Sequence, residues 1–345
     1  MASKKTQVTI GGRTLEFSNL DKVLWPRDGY TKGDLIDYYR CVARWLVPHL
    51  EDRPLTLQRW PDGIDAQSFF EKQAPRFTPA WIPTVSLSAD QKSRKVAYLL
   101  CNDEATLAWC ANLASIVLHT WYSHMPTPEH PDYVLFDLDT CERTTLGTLA
   151  RVTIAFRDML AQIGLTALVK TSGGSGMHLV VPLKNDYDFE TARRFAEIAV
   201  EHVAAALPDL TTVERSIKKR PKTAVYLDWG QVARGKTVVP PYVVRARDGA
   251  PVSMPLDWSE VEDLVKKRGN PETFIGQWTI RNARKRLEKV GDLWGGRAWK
   301  EARLEPALAK AQRAWARLSS RSFDTSGQAS SKDGRAKSRP FARRV

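Results

Sequence analysis

Cysteine and long apolar runs are both scarce in this sequence, and each absence excludes a class of protein. Only four cysteines occur among 345 residues; they form no C-x-x-C pair, and no histidine lies at zinc-ligand spacing from them. We therefore expect neither a disulfide framework nor zinc. No apolar run approaches the roughly 18 residues that a membrane-spanning helix needs. Because the N-terminal lysines precede no apolar signal segment, we expect a cytoplasmic protein with no membrane partner.

Acidic residues are also in short supply. The chain has 39 Asp and Glu against 52 Lys and Arg, a net charge of +13. Such an excess favours a polyanionic partner, chiefly nucleic acid, through counterion release. Part of the excess lies in residues 319–345, which contain seven basic and two acidic residues and are predicted to be a basic disordered tail. With 43% hydrophobic residues, the chain as a whole is predicted to be globular.

Regular elements are predicted along most of the chain. Residues 7–17 form two alternating runs around a Gly-Gly pair, the pattern of a hairpin, and Thr31 is placed to cap a following helix. The apolar spacing of residues 106–119 predicts a helix, and residues 257–318 are predicted to be mainly helical. A strand, helix, strand, strand, helix and strand are predicted over residues 133–139, 145–164, 167–171, 177–182, 189–207 and 224–228. This order is typical of a split βαβ, RRM-like unit, and so of an α+β fold.

Three carboxylates end predicted strands. Asp137 and Asp139 close the apolar run that starts at Tyr133, and because residues i and i+2 of a strand point to one face, these carboxylates converge. Asp228 ends the strand over 224–228 in the same manner. For a single D-x-D motif considered alone, strand-end capping or ion pairing with arginine is the more common explanation. Two acidic strand ends in one sheet favour a divalent metal site, since the cation removes the repulsion between carboxylates.

A glycine-rich turn joins the predicted strands over 167–171 and 177–182. Its three glycines permit positive φ and expose backbone N–H groups as an anion nest, while Ser172, Ser175 and His178 add side-chain donors. A plain hairpin loop also fits this turn taken by itself. The turn occurs in a basic protein that also has acidic strand ends. Together these features favour a site where a metal ion at the carboxylates and the N–H groups of the turn bind the same nucleoside triphosphate.

Several ordered blocks resemble one known family. They are LDKVLWP (20–26), RWPDG (59–63), SFFEKQ (68–73), FDLD (136–139), SGGSGMH (172–178), YLDW (226–229), GKT (235–237) and PYVVRAR (241–247). In these blocks the sequence resembles the archaeo-eukaryotic primase superfamily, most closely the polymerase domain of bacterial ligase D and its stand-alone, Prim-PolC-like relatives. The resemblance implies a primase-polymerase core with an RRM-like sheet. The implied parts are an N-terminal α/β lobe (1–125), a catalytic lobe (126–275), a C-terminal helical segment (276–318) and the tail (319–345).

The resemblance also implies roles for the matched positions. The catalytic, metal-binding carboxylates would be Asp137, Asp139 and Asp228. The residues that would hold the incoming nucleotide are Ser172, His178, His119, Lys236, Arg245 and Arg247. Those that would contact DNA are Lys22, Lys32, Arg59, Phe69 and Phe70. The two lysines match lysines that bind a 5′-phosphate, with a solvated surface as the alternative. The two phenylalanines match aromatics that stack on template bases, with core packing as the alternative.

The activity implied by the resemblance is that of a DNA-directed DNA/RNA polymerase. Such a nucleotidyltransferase adds NTPs or dNTPs, preferentially ribonucleotides, to a 3′-OH at short gaps or DNA ends by two-metal catalysis with Mn²⁺ or Mg²⁺. The implied partners are gapped or broken DNA with a 5′-phosphate, an ATP-dependent DNA ligase and Ku, in nucleoid-associated repair by non-homologous end joining. Two alternatives stay open: a primase that makes primers de novo, and a catalytically silent DNA-end-binding module.

Departures from the family pattern concern the substrate contacts. Ser175 stands where the family's turn usually carries a lysine, and Gln58 stands where some relatives have one. The basic loop over 215–222 lies where relatives contact DNA ends, although its alignment is open. These differences bear on the geometry of the substrate and leave the implied reaction unchanged.

Overall fold

The computed structural model describes residues 5–88, 94–307 and 309–310. In these ranges the strands, β1 to β16 in chain order, are Lys5–Ile10, Arg13–Ser18, Val23–Trp25, Tyr30–Thr31, Leu55–Arg59, Phe69–Glu71, Thr84–Leu87, Val96–Leu99, Ser115–Trp121, Tyr133–Thr140, Leu168–Thr171, Met177–Pro182, Thr211–Thr212, Val225–Asp228, Thr237–Val238 and Pro255–Leu256. The helices, α1 to α7, are Lys32–Leu50, Glu104–Asn112, Leu146–Gln162, Phe189–Ala206, Trp258–Glu262, Pro271–Ile275 and Ala283–Val290. A further helical segment begins at residue 304.

Capping residues fix where the long helices begin. Thr31 accepts a hydrogen bond from the Asp34 backbone N–H, and the Asp34 side chain accepts one from the Thr31 N–H, so α1 starts at a capping box. Thr145 caps α3 and Asp188 caps α4, each through a side-chain oxygen that accepts a hydrogen bond from a backbone N–H group. The predicted N-cap at Thr31 and the predicted β1–β2 hairpin are confirmed.

The first six-stranded sheet contains the predicted RRM-like unit. Its strand order is β13-β14-β10-β12-β11-β16, and the four strands β14, β10, β12 and β11 are mutually antiparallel neighbours. Helices α3 and α4 cover one face, where the Phe136 ring packs 4.5 Å from Phe156 and 6.2 Å from Phe195. Because strand side chains alternate, Asp137 and Asp139 lie on the other face. The predicted α+β fold class is confirmed.

A second six-stranded sheet faces the carboxylates. Its order is β15-β9-β5-β8-β7, with β6 paired to β5. Helix α1 is tied to β9 by the Tyr39 hydroxyl, which donates to the Ile116 carbonyl at 2.7 Å. Strand β15 lies between β14 and β16 of the first sheet in the chain yet pairs with β9, so the two sheets are interleaved. The domain boundaries given above from the sequence stay a prediction.

Two predicted helical stretches differ from the structure. The helix predicted over residues 106–119 ends at Asn112, and residues 115–121 form β9; Ala114 between them has a positive φ of 55°, which an α-helix cannot contain. The helices within residues 257–307 are all short and are joined by turns. The prediction that this part of the chain is mainly helical was therefore wrong. The predicted tail lies outside the described residues. None of the helices in the described ranges has the length and apolar character to cross a membrane.

Candidate active site

The three predicted carboxylates come together on two neighbouring strands. Asp137 on β10 lies opposite Asp228 on β14, and Asp139 follows on the same face of β10. Burial raises the pKa of Asp137 to about 6 and that of Asp139 to about 7, and repulsion from neighbouring carboxylates adds to both shifts. The Asp228 carboxylate accepts hydrogen bonds from the Gly230 N–H and the Gln231 amide, each at 2.7 Å.

The carboxylates fit a divalent cation. The Asp137 Oδ1 atom is buried and lacks a hydrogen-bond partner, although His178 Nε2 lies 3.3 Å away. Clustered carboxylate oxygens of this kind are hard ligands for Mg²⁺ or Mn²⁺. Over residues 5–88, 94–307 and 309–310, no three His, Cys, Asp or Glu side chains are arranged to hold a metal. The assignment of all three carboxylates as metal ligands stays a prediction.

The glycine-rich turn between β11 and β12 lies directly against the carboxylate strand. A Cβ atom at Gly176 would lie 2.1 Å from the Leu138 carbonyl oxygen, so only glycine fits there. The Ser172 Oγ atom accepts the backbone N–H groups of Gly174 and Gly176, both at 3.1 Å. Two N–H groups predicted for the anion nest are therefore used inside the turn. The Ser172 hydroxyl still has its own hydrogen to donate to a ligand.

His178 is held between the carboxylates and a buried lysine. It lies opposite Asp137 on β12, and its Nδ1 atom is 2.9 Å from Lys170 Nζ. Lys170 Nζ also donates to Ser253 Oγ at 2.6 Å. Burial lowers the pKa of both His178 and Lys170. Sequence reasoning missed Lys170, although a lysine inside an otherwise apolar strand was a usable signal.

A cavity of about 230 Å³ joins the carboxylates to most of the predicted nucleotide-binding residues. Its walls include Asp137, Asp139, His119, Ser172, His178, Arg245 and Arg247. Arg245 is half-buried and Arg247 is exposed; burial, and then the charge of Arg247, lower the pKa of Arg245. Lys236 lies beside this cavity rather than in its wall, and its Nζ donates to the Gly230 carbonyl at 2.5 Å. Gln231, which also lines the cavity, was missed from the sequence.

His119 connects the cavity to the exposed ring of Phe70. Its Nε2 atom is 3.1 Å from the Gln58 side-chain oxygen, and its ring centre is 5.5 Å from that of Phe70. Burial lowers the pKa of His119 to about 3, so the imidazole is neutral near pH 7. Phe69 and Phe70 are 44% and 59% exposed on β6, which excludes core packing for both. Their predicted stacking on template bases stays a prediction.

Arg59 is engaged within the protein. Its Nε atom donates to the Leu113 carbonyl and its Nη1 atom to Glu71, both at 2.8 Å, and its guanidinium lies 5.2 Å from the centre of the Phe69 ring. The contacts with Glu71 and Phe69 join β5, which contains Arg59, to its neighbouring strand β6. The predicted contact between Arg59 and DNA stays a prediction.

The two lysines predicted to bind a 5′-phosphate are neighbours. The Lys32 backbone N–H donates to the Lys22 carbonyl at 2.8 Å. The Lys32 side chain is buried, and its Nζ donates to the Asn112 carbonyl at 3.1 Å, whereas Lys22 pairs with Asp62 at 2.6 Å. Burial, and then the charge of Lys22, lower the pKa of Lys32 to about 8. The alternative that Lys32 is an ordinary solvated surface lysine is therefore excluded.

The basic loop over residues 215–222 borders the site on its other side. Together with Asp139 it lines a cavity of about 670 Å³. Arg220 lies over the Tyr226 ring at 3.4 Å from its centre, and Ile217 is 79% exposed at the loop tip. The loop therefore presents cations and one apolar side chain close to a carboxylate.

Comparisons with known proteins place the sequence in one family. The model of the family described as "LigD, primase-polymerase domain" matches residues 31–294. The multifunctional non-homologous end joining protein LigD of Mycolicibacterium smegmatis is 34% identical over 251 residues, which covers 72% of this chain and 32% of that protein. The bifunctional non-homologous end joining protein LigD of Bacillus subtilis is 30% identical over 272 residues, covering 74% of this chain and 43% of that protein.

A solved structure shows the same fold. The polymerase domain from Mycobacterium tuberculosis Ligase D in complex with DNA matches with a TM-score of 0.74 and 31% sequence identity, covering 81% of this chain and 96% of that one. This chain spans less than half the length of the two LigD proteins that it matches. Because the family model matches most of the sequence and the fold agrees with it, this chain belongs to the LigD primase-polymerase domain family, a family of nucleic-acid polymerases.

Proposed function

We propose that this chain is a template-directed nucleotidyltransferase that adds nucleotides to a 3′-OH at short gaps or ends of DNA. One observation carries the proposal. A single cavity joins Asp137 and Asp139 to the cations Arg245 and Arg247, and it connects through His119 to the exposed ring of Phe70 on β6. Carboxylates suit metal-assisted phosphoryl transfer, cations suit a triphosphate, and exposed rings suit unpaired bases.

The residues divide the work of nucleotidyl transfer. Arg245 and Arg247 bind and neutralise the triphosphate, and the Ser172 hydroxyl and the His178 ring donate hydrogen bonds to its oxygens. Asp137 and Asp139, with Asp228, would hold two divalent cations, Mn²⁺ or Mg²⁺. When bound, these cations lower the pKa of the attacking hydroxyl and stabilise the leaving pyrophosphate. The neutral His119 lies where the nucleotide cavity meets the proposed template-stacking rings and orients the nucleotide there.

The DNA substrate follows from the lysine pair. Lys22 and Lys32 lie together at the start of α1, where the helix N-terminus adds partial positive charge, so a terminal 5′-phosphate is the ligand that this place suits. A downstream 5′-phosphate marks a gap. We therefore place the activity at gaps, with ribonucleotides preferred over deoxyribonucleotides as the family resemblance implies.

The setting of the activity is inferred from the relatives. The curated relatives are named as end-joining proteins, and this chain matches only part of each. We propose that it acts in non-homologous end joining at the nucleoid, with an ATP-dependent DNA ligase and Ku supplied as partners. Co-purification of the tagged chain from cells with damaged DNA tests this setting: recovery of a ligase supports it, and recovery of replication proteins alone contradicts it.

Extension assays test the proposed activity. A labelled primer in a gapped duplex is incubated with Mn²⁺ and each NTP in turn, and the added nucleotide is expected to follow the template base. A template without a primer serves as the comparison. Products that appear equally well without a primer would favour de novo priming. Tight binding to gapped DNA without any extension would favour the silent DNA-end-binding module.

A further inference from the structure

A chain of hydrogen bonds lies behind His178, on the side away from the nucleotide cavity. Lys170, Ser253 and Thr171 are all buried. The Ser253 hydroxyl donates to the Thr171 carbonyl at 2.9 Å, and Lys170 Nζ lies 2.6 Å from Ser253 Oγ and 2.9 Å from His178 Nδ1. The chain ends at the catalytic face, where His178 Nε2 lies 3.3 Å from Asp137 Oδ1.

The direction of each hydrogen bond in this chain is determined by the chemistry of its members. The Ser253 hydrogen is used on the Thr171 carbonyl, so Ser253 Oγ accepts from Lys170. A charged Lys170 can only donate, so it donates to both Ser253 Oγ and His178 Nδ1. A neutral Lys170 amine could also accept from Nδ1, but Nε2 would then turn a lone pair toward the Asp137 carboxylate 3.3 Å away, so Nδ1 is the acceptor. The hydrogen of the neutral ring consequently resides on Nε2, which faces the carboxylate and the nucleotide cavity.

We propose that Lys170, anchored by Ser253, is a positioning residue that holds His178 in the tautomer with its hydrogen on Nε2, so that the ring donates to an anionic ligand in the cavity. The inference rests on the proposed nucleotide site. With the hydrogen on Nε2, His178 can donate to a phosphate oxygen. With a lone pair there instead, it would repel the triphosphate and could bind a metal ion.

The experiment compares the full chain with substitutions along this hydrogen-bond chain. Lys170→Met keeps the volume and removes the donor, and Ser253→Ala removes only the anchor, with Ser253→Thr as its conservative partner. Thr120→Val is the matched control, because Thr120 and Lys170 line one further cavity of about 510 Å³. The chain has six histidines, so ¹⁵N-histidine spectra of the free protein resolve the tautomer of His178.

The expected results separate positioning from general damage. The wild-type spectrum should show His178 with its hydrogen on Nε2, and the Lys170→Met spectrum should show a mixture of tautomers. Ser253→Ala should disturb the tautomer of His178, and Ser253→Thr should restore it. The Kd for a non-hydrolysable nucleotide should rise roughly 3- to 10-fold in Lys170→Met, as for one lost hydrogen bond. Thr120→Val should change neither readout.

Three results would overturn the inference. They are a wild-type ring with its hydrogen on Nδ1, an unchanged His178 signal in Lys170→Met, and an equal change in Thr120→Val. The spectra are recorded without nucleotide, so they test the tautomer even if the wild-type chain binds no nucleotide. A wild-type chain that binds no nucleotide would refute the proposed function, but it would leave the measured tautomer of His178 unaffected.

Discussion

We expect the proposed recognition of a 5′-phosphate to depend on pH, because Lys32 at the start of α1 is buried. The pKa of Lys32 is lowered to about 8, mainly by burial and further by the neighbouring Lys22. Lys32 is therefore mostly charged at pH 7 and mostly neutral at pH 9, while a terminal phosphate stays dianionic over this range. The attraction between them is present below the lowered pKa and is lost as the pH rises through it. A bound phosphate moves the loss to a somewhat higher pH by favouring the charged form.

The magnitude follows from the contact. A charge-assisted hydrogen bond contributes roughly 1.5–3 kcal/mol, and partial screening by water reduces this to about 1–2 kcal/mol, or roughly 5- to 30-fold in Kd. The assay measures Kd for two gapped duplexes that differ only in a 5′-phosphate or 5′-hydroxyl downstream, at pH 7 and pH 9 and one ionic strength. We expect the preference for the phosphate to shrink by roughly 3- to 8-fold at pH 9, less than the full factor, because part of Lys32 is still charged at pH 9 and the bound phosphate favours the charged form.

Variants identify the lysine responsible. In Lys32→Met the preference for the phosphate should be small at both pH values, whereas Lys285→Met, which changes an exposed lysine on α7, should behave as wild type. The refuting result is a preference that stays constant from pH 7 to pH 9 in the wild type. Equal losses on both duplexes in Lys32→Met would likewise show only a diffuse positive field.

Three further predictions follow from other parts of the molecule. Phe70→Ala should weaken binding to a single-stranded template overhang by about 1–3 kcal/mol, the value of one stacked base, whereas Phe77→Ala should not; equal effects would contradict template stacking. Opposite template dT, kcat/KM should be higher for ATP than for dATP, and a clear dATP preference would remove the ribonucleotide proposal. Asp132→Asn leaves the buried Arg53 without its charged partner and should lower the free energy of unfolding in urea by about 3–5 kcal/mol; a loss below about 1 kcal/mol, as for a surface pair, would refute this reasoning.

The strands and helices of the catalytic sheet could be predicted because their signals are local. The apolar run before Asp137, the glycine-rich turn and the cap at Thr31 each depend on a few adjacent residues, and the structure agrees with them. The stretch over 106–119 failed because its apolar spacing suits a helix and a buried strand equally, and the positive φ at Ala114 that separates α2 from β9 has no signature in the sequence.

The candidate site could be predicted in part for the same reason. The carboxylates lie at the ends of strands, and strand ends can be recognised in a sequence. Lys170 and Ser253, in contrast, lie 83 positions apart in the chain and meet only after folding. Gln58 was recognised as a departure from the family, but its contact with His119 depends on the pairing of β5 with β9. Long-range pairing of this kind is set by tertiary packing, which no local pattern contains.

Single-nucleotide addition by carboxylate variants tests the central claim most directly. Extension of a primer at a gap, with Mn²⁺ and the templated NTP, is measured for wild type, Asp137→Asn, Asp139→Asn and the control Asp158→Asn, which changes an exposed carboxylate on α3. We expect nucleotide addition to be at least about 100-fold slower in the first two variants, because metal-assisted charge stabilisation supplies several kcal/mol. DNA binding should be retained, and the control should match wild type. Wild-type rates in Asp137→Asn and Asp139→Asn would contradict the account.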